Sequence, residues 1–576
     1  MSRIAARLPT SLVPRIQPGH ARLLRAPCGA GAEFTSPCRR TAYNKNHLRA
    51  GKEICLSSTI RTVAILLVAL SSVAPLAAAS CEGLASLALP NTTITLAQTV
   101  AAGDFTPPPA SARDLGAPVD WKQLPAFCRV AATIQPVPDS DIKIEIWLPL
   151  SGPAPAWNRE FEANGNGGWT GTINYKSLGA ALLNGFAAGV TDTGHAGGSA
   201  SFALGHPEKV IDFGYRAVHE MTVKSKAIIE AFYGQAPKLS LWNGCSAGGR
   251  EGLKEAQMFP EDYDGIVAGD PIADFVGRSL GGVWMAQAVH HDEASLLTPE
   301  KYAVLHKAVL DVCDAMDGVK DGVIENPALC NFNPETIACK AGNNDACLTA
   351  PEVEAAKKIY SGVVDSATKE VVFPGLMPGS ELAWGTQAGP RPFGAATDYF
   401  KYIVFQNPDW DYKTLNFASD IAAAEKADHD TINATNPDLK AFFQRGGKLL
   451  QYHGWSDQQM SAATSPKYYN SVLNAVGDAK LVEQSYRLFM VPGMGHCGGG
   501  EGADIFDKMG ALEQWVKSGK PPDKIVASRA QAGKVVRTHP LCPYPQMAVY
   551  NGTGSTDDAA SFTCKAGSVE SRGDAR

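Results

Sequence analysis

Hydrophobic and polar residues follow one another along this chain with two different periods. Residues 142–148, Ile-Lys-Ile-Glu-Ile-Trp-Leu, alternate with period two, which predicts a half-buried strand. Residues 186–190 form a short apolar run that predicts a buried strand, and 239–242, 264–269, 448–452 and 486–491 read as strands too. Residues 217–233 space their apolar side chains as a helix does, 251–257 read as helix soon after a strand, and 505–516 predict a closing helix. This rhythm lapses after Gly269 for about 170 residues and resumes at Gly446. The pattern predicts an α/β fold with a large insertion, placed as a lid over the carboxyl ends of the strands, where open sheets bind ligands. Ahead of the core, residues 81–128 read as an irregular segment broken by Pro107, Pro108 and Pro109.

Composition narrows the class further. The 576 residues suffice for one large domain with an insertion or for two or three domains, and 45% are hydrophobic, enough for a substantial core. Of 52 basic and 58 acidic residues, 11 and 2 fall in the first 80, leaving 41 against 56, a net charge of −15. So acidic a chain is a poor partner for nucleic acid or an anionic membrane surface. Residues 63–76 form an apolar stretch of signal-peptide length after Arg61, and Ala77, Ala78 and Ala79 before Ser80 read as a cleavage site. The stretch is too short for a membrane span. Residues 1–80 are therefore expected to be a leader, and the mature protein to be secreted or periplasmic. Cys28, Cys38 and Cys55 fall in that leader, and the ten remaining cysteines, an even number in an exported chain, read as a disulfide set.

Candidate chemistry centres on residues 243–250, Asn-Gly-Cys-Ser-Ala-Gly-Gly-Arg, between a predicted strand and a predicted helix. Gly244, Ser246 and Gly248 have the G-x-S-x-G spacing of a nucleophile elbow, where small neighbours permit the sharp turn that lifts a serine hydroxyl above the sheet. A serine needs a base to take its proton, and the base needs a carboxylate to orient it. His496 is the candidate base, because Cys497 follows it as Cys245 precedes Ser246. Were these two cysteines paired, their Cα atoms would lie within about 7 Å and bring histidine and serine together. Asp457, in a turn after a predicted strand, is the candidate acid; Asp270 and Asp192 compete with it, and helix N-capping is its alternative role. The order serine, aspartate, histidine is that of α/β-hydrolases. The N–H of Ala247 is the expected first oxyanion donor, and the glycine-rich stretch 164–169 should supply the second. Residues 314–323 gather Asp314, Asp317 and Asp321 with two glycines, a set that suits either Ca²⁺ or a solvated acidic turn. No Glu stands at the twelfth position, so this is not an EF-hand loop.

The Cys-Ser, Asp and His-Cys arrangement, with G-C-S-x-G-G-R around the serine, resembles the tannase and feruloyl esterase family of α/β-hydrolases. That family also includes the hydrolase of mono(2-hydroxyethyl) terephthalate, and the resemblance runs from about Cys81 to Cys564. It implies an α/β-hydrolase core in residues 81–271 and 446–576, the second part ending in a disulfide-tied tail, and a lid in 272–445. It implies the pairs Cys81–Cys128, Cys245–Cys497, Cys313–Cys330, Cys339–Cys347 and Cys542–Cys564. It favours Asp457 as the acid and Gly168 as the second oxyanion donor, with Gly167 close by. It further implies a structural Ca²⁺ held by Asp314, Asp317 and Asp321 and by the carbonyls of Val319 and Val323, and no organic cofactor.

Substrate contacts are expected in the lid, with Trp384, Arg391 and Phe393 as candidates; Tyr399, Phe400, Tyr402 and Phe405 read mostly as lid core. Arg391 aligns poorly with the lid arginine that the terephthalate-ester enzyme uses for its substrate's carboxylate, and Ala247 stands where that enzyme has an acidic residue. Both departures favour gallate or hydroxycinnamate esters. The expectation is a serine carboxylic-ester hydrolase acting on feruloyl or galloyl esters through an acyl-enzyme, its partner a small aromatic ester. The alternatives are a terephthalate-monoester type of hydrolase, a non-catalytic binding protein for aromatic ligands on the same scaffold, and a serine peptidase. The residues leave the oligomeric state open.

Overall fold

The structure, a computed structural model, describes residues 78–108, 118–150, 156–340 and 345–566. The expected leader lies outside them except for its last three residues. Nine strands form the central sheet: β1 (Thr92–Val100), β2 (Phe127–Ile134), β3 (Ile142–Pro149), β4 (Glu160–Asn164), β5 (Ala187–Thr191), β6 (Leu239–Cys245), β7 (Gly265–Gly269), β8 (Lys448–Gly454) and β9 (Tyr486–Val491). Their order is β1-β2-β3-β5-β4-β6-β7-β8-β9. The first three pair antiparallel, β3 pairs antiparallel with β5, and every later pairing is parallel. The parallel strands β4, β5 and β7 are buried throughout, as helices on both faces require.

The sheet's two faces divide the core. Ile144, Ile146 and Phe161 pack on one side with Met221 and Ile228 of helix α1 (Ala217–Tyr233). Trp147, Leu241 and Val267 pack on the other with Leu512 and Trp515 of the closing helix (Lys508–Ser518). That helix starts three residues later than the apolar spacing predicts, because Ile505 pairs with Ser528 and the Asp507 carboxylate caps it through the Gly510 N–H.

The segment 81–128 is not irregular as expected: it contains the nine-residue strand β1. Being an edge strand, β1 buries no residue fully, and its sequence Thr-Thr-Ile-Thr-Leu-Ala-Gln-Thr-Val carries too few apolar positions to stand out from a loop.

Between β7 and β8 the described residues add no strand to the sheet. Helix α2 (Ala247–Met258) follows the elbow, and helix α3 (Phe275–Val289) opens the inserted region and is buried along almost its whole length. Val276 and Leu280 of α3 pack on Phe373, Tyr399 and Phe400. Met285 and Val289 pack with Leu305, from helix α4 (Pro299–Cys313), and with Trp384. This second apolar centre gives the insertion a core of its own. All five cysteine pairs implied by the resemblance are joined, with Cα separations of 5.0 to 6.0 Å.

Candidate active site

The turn between β6 and α2 places Ser246 at φ 65°, ψ −121°, a strained conformation for a side-chain-bearing residue. Glycines make room for it. A Cβ on Gly244 would fall 2.2 Å from the Gly248 carbonyl oxygen, and one on Gly165 would fall 2.5 Å from Gly248 Cα. The Gly248 N–H donates to the Asn166 carbonyl at 2.7 Å, which presses the 165–168 loop against the start of α2. Gly168, at φ 56°, has nothing within 4 Å of where a Cβ would stand, so its surroundings are open on that side. Ala247, at the first turn of α2, presents its N–H at the positive end of that helix.

Three predicted residues meet here in one hydrogen-bonded chain. Ser246 Oγ lies 2.8 Å from His496 Nε2, and His496 Nδ1 lies 2.6 Å from Asp457 Oδ2. The His496 loop is tied to the elbow, because Cys497 is joined to Cys245 and the His496 N–H donates to Gln458 Oε1 at 3.2 Å. Asp457 divides its two oxygens. Oδ1 accepts the N–H groups of Gln459 and Met460 in a turn, with no helix starting there for it to cap, and Oδ2 faces His496 and, at 3.2 Å, His453 Nε2. Neither competing carboxylate takes the place of Asp457, although Asp270 lies close to both Asp457 and His496. Asp270 accepts the Gly454 N–H at 2.8 Å, and Asp192 accepts the N–H groups of Lys143 and Gly194.

Electrostatics match that geometry. Burial favours the neutral form of Asp457, yet the charges and hydrogen bonds of His496 and His453 outweigh it and hold the carboxyl well below the usual range. Burial pulls His496 down, but Asp457 more than compensates and its pKa is raised. Burial, with the Asp457 charge beside it, pushes Asp270 up to about 6 against the opposing pull of His453, His496 and the Gly454 N–H.

The acidic loop lies away from this chain of bonds. Asp317, Val319, Asp321 and Val323 line one small cavity with Glu325, while Asp314 turns its carboxylate to the N–H groups of Asp321 and Gly322 and so closes the loop. Burial, with Glu325 and Asp321 close by, lifts Asp317 to about 6. Carboxylates beside carbonyl oxygens form a donor set that fits Ca²⁺, with Arg537 at 3.2 Å from Asp321 and His539 at 3.0 Å from Glu325 on the same cavity.

The expected lid contacts separate on inspection. Trp384 is fully buried between Tyr302 and Tyr360, with its Nε1 donating to Ser380 Oγ, so it belongs to the lid core and offers a ligand no surface. Arg391 is exposed in its turn. Phe393 is half-buried and faces inward over the guanidinium of Arg278, 4.5 Å from the ring centroid. Arg278, His453 and Gln458 were not anticipated; Gln458, adjacent to Asp457 in sequence, is the one that spacing could have flagged. Arg250, the last residue of the elbow motif, is buried and donates to the carbonyls of Phe213, Gly214 and Ile432, which anchors α2.

Residues 128–565 match the family model described as tannase and feruloyl esterase. The chain belongs to this family. It is 37% identical over 538 residues to an uncharacterized esterase of Xanthomonas campestris pv. campestris, covering 85% of this chain and 91% of that one. It is 34% identical to a probable feruloyl esterase B of Aspergillus clavatus, over 83% of this chain and 93% of the relative. Among solved structures, feruloyl esterase B from Aspergillus oryzae superposes with a TM-score of 0.76 at 31% identity, covering 84% of this chain and 99% of that one. The tannin acyl hydrolase from Aspergillus niger shares the fold, with a TM-score of 0.68 over 83% and 92% of the two chains. The family and its solved members make this chain a carboxylic ester hydrolase with an α/β-hydrolase fold.

Proposed function

We propose that this esterase is an exported serine hydrolase of phenolic-acid esters, feruloyl or galloyl, in which Ser246 is the nucleophile, His496 the base and Asp457 the residue that orients it. The observation that carries the reading is the continuous hydrogen-bonded path from Ser246 Oγ to Asp457, pinned by the Cys245–Cys497 bridge. As Oγ attacks the ester carbonyl, His496 Nε2 takes its proton, and the carbonyl oxygen becomes an oxyanion facing the N–H groups of Ala247 and Gly168. Collapse breaks the bond to the alcohol oxygen, which leaves with the proton held by His496. Water then repeats the sequence on the acyl-enzyme, releasing the acid and restoring the serine.

Ca²⁺ would be held by Asp314, Asp317 and Asp321 with the carbonyls of Val319 and Val323, neutralising clustered carboxylates and stiffening the lid. Five disulfides support folding in an oxidising compartment, and no helix among the described residues is long and apolar enough to cross a membrane.

The decisive experiment is Ser246→Ala. With methyl ferulate, methyl gallate and p-nitrophenyl acetate as substrates, kcat should fall by about 10⁴-fold or more while circular dichroism stays unchanged. Retained turnover would remove Ser246 from the chemistry, and a wild-type protein that binds these esters without cleaving any would leave the non-catalytic binder standing.

A further inference from the structure

Two neighbouring strands lead to the reacting groups, and a carboxylate follows each. Strand β7 lies between β6 and β8 in parallel register, with Gly269 opposite Cys245 on one side and Tyr452 on the other. Asp270, the first residue after β7, therefore stands between the strand ends that lead to Ser246 and to Asp457. Backbone bonds fix it on both sides: the Ser246 N–H donates to the Gly269 carbonyl at 2.9 Å and the Asp270 N–H to the Tyr452 carbonyl at 2.8 Å. Asp270 is fully buried and holds φ at 35°, a left-handed conformation that is strained for a residue with a side chain. Burying a carboxylate in a strained turn is costly, so its presence at this position points to a use.

The groups around Asp270 show what that use is. A carboxylate oxygen of Asp270, one of Asp457 and a ring nitrogen of His496 all lie within 4.8 Å of one another. Asp270 Oδ1 accepts the Gly454 N–H at 2.8 Å, and Oδ2 lies 3.4 Å from Cys245 Sγ. His453 reaches both acids: its Nε2 is 3.2 Å from Asp457 Oδ2 and 3.9 Å from Asp270 Oδ1, and it makes no well-directed hydrogen bond among the described residues. The bonds on the other side of its ring assign its proton. Tyr486 donates to Gln451 Oε1, Gln451 Nε2 donates to Ser465 Oγ at 2.7 Å, and the serine proton is left for His453 Nδ1 at 2.6 Å. Nε2 therefore carries the N–H of a neutral imidazole and sets its positive end beside two carboxylates that would otherwise repel each other.

We infer that Asp270 is a second acid for His496: with Asp457 it stabilises the imidazolium formed when Ser246 gives up its proton, and it takes over part of that work when Asp457 is removed. The inference rests on the serine-esterase reading and adds a positioning residue to it. Asp457 stays the principal partner, 2.6 Å from Nδ1, and Asp270 acts at longer range through its charge. Burial holds the Asp270 carboxyl up at about 6, which leaves it mostly ionised at pH 7. Burial lowers His496, the charge and hydrogen bond of Asp457 raise it, the Asp270 charge adds to that rise, and Arg278 on α3 works against it. The Lys508 ammonium and the Tyr452 hydroxyl also feel the Asp270 charge.

The test is a double-mutant cycle in kcat with Asp270→Asn and Asp457→Ala, on p-nitrophenyl acetate. Asparagine keeps the shape of aspartate and accepts the left-handed backbone, and alanine at position 457 leaves no amide to hold His496 in the wrong tautomer. Asp270→Asn alone should lower kcat about threefold, and Asp457→Ala alone about 100-fold or more. In the Asp457→Ala background the Asp270→Asn change should cost about 30-fold, because it then removes the remaining carboxylate of the pair. An equal factor in both backgrounds, or no further loss in the double variant, overturns the inference and leaves the triad standing. Turnover that survives Ser246→Ala removes the triad itself and is thereby told apart from failure of Asp270. A second measurement needs only the milder variant. The acid limb of the kcat/KM profile should move to lower pH in Asp270→Asn, since losing a neighbouring negative charge makes His496 easier to deprotonate. A limb that stays in place overturns the inference, and this readout decides alone if Asp457→Ala does not fold.

Discussion

At the elbow, Ser246, His496 and Asp457 each have the partner their chemistry needs, and backbone N–H groups and a disulfide hold them in place. In the lid, Arg278 and Gln387 are buried as thoroughly and have polar atoms with none. Both regions are rigidly packed, so the difference lies in what each is built to meet. Reacting groups must be oriented before the substrate arrives, because a misplacement of about 1 Å can cost about 100-fold in rate. Unsatisfied polar atoms are not confined to the insertion, since Arg250, Glu251 and Glu255 of α2 also carry them, so what sets the elbow apart is that its three reacting groups are free of them.

The largest effect should come from loosening the ordered side. Replacing Cys245 and Cys497 together by Ala removes the link between elbow and base loop, 252 residues apart in sequence. We expect kcat on a neutral phenolic ester to fall by about 10- to 100-fold with KM little changed, since binding surfaces stay and only the Ser246 to His496 geometry relaxes. Thermal stability should drop as well, because the bridge closes a very long loop. An unchanged kcat would mean that backbone hydrogen bonds alone set the geometry and that the disulfide is a matter of stability only.

The ordered side is also the side that could be read in the sequence. Gly244, Ser246 and Gly248 announce themselves because a sharp turn between strand and helix demands small residues at fixed spacing, and Cys245 and Cys497 mark their neighbours by adjacency. The core strands were legible because parallel strands buried on both faces must be apolar throughout. Strand β1 was not, since an edge strand with one exposed face tolerates Thr and Gln at nearly every position. Arg278 was invisible for a different reason. Nothing in the run Phe275-Val276-Gly277-Arg278-Ser279 distinguishes a solvated arginine from a buried one, and its setting depends on Phe393 and Gln459, more than 100 residues away in sequence. Trp384 misled by the same logic in reverse, an aromatic that composition offers to a ligand and packing claims for the lid core.

A smaller effect should follow from removing the cation expected in the acidic loop. Treating the protein with EGTA should lower its melting temperature by several degrees, with restoration by Ca²⁺ and not by Mg²⁺, whose octahedral demands the loop's mixed carbonyls and carboxylates suit poorly. Asp317→Asn should abolish the response. Activity below the melting transition should change little, because the loop does not touch the reacting groups. A calcium-insensitive transition in wild type would identify residues 314–323 as a solvated acidic turn.

The smallest effect we expect concerns the seam between the two regions. His306, on the lid helix α4, lies 2.7 Å from Glu381 through Nδ1 and 2.7 Å from Glu501 through Nε2, and Glu501 belongs to the same glycine-rich loop as His496. Burial works against its charge, but hydrogen bonds and ion pairs to the two glutamates prevail and lift its pKa to about 9. A histidine whose folded pKa exceeds its unfolded value of about 6.5 contributes stability in full below pH 6.5 and loses it as the pH rises through 9. The contribution is modest because the Glu501 side chain is 44% exposed and partly screened. Melting temperature should therefore fall by about 1–3 °C between pH 6.5 and 9.5 in wild type beyond the change seen in His306→Gln, with the two proteins converging at the alkaline end. Glu501→Gln should show part of the same loss, since Glu381 still holds the imidazolium from the lid side. Parallel melting curves across that range would mean that the lid and the base loop are joined by apolar packing and that the imidazolium bridge adds nothing measurable.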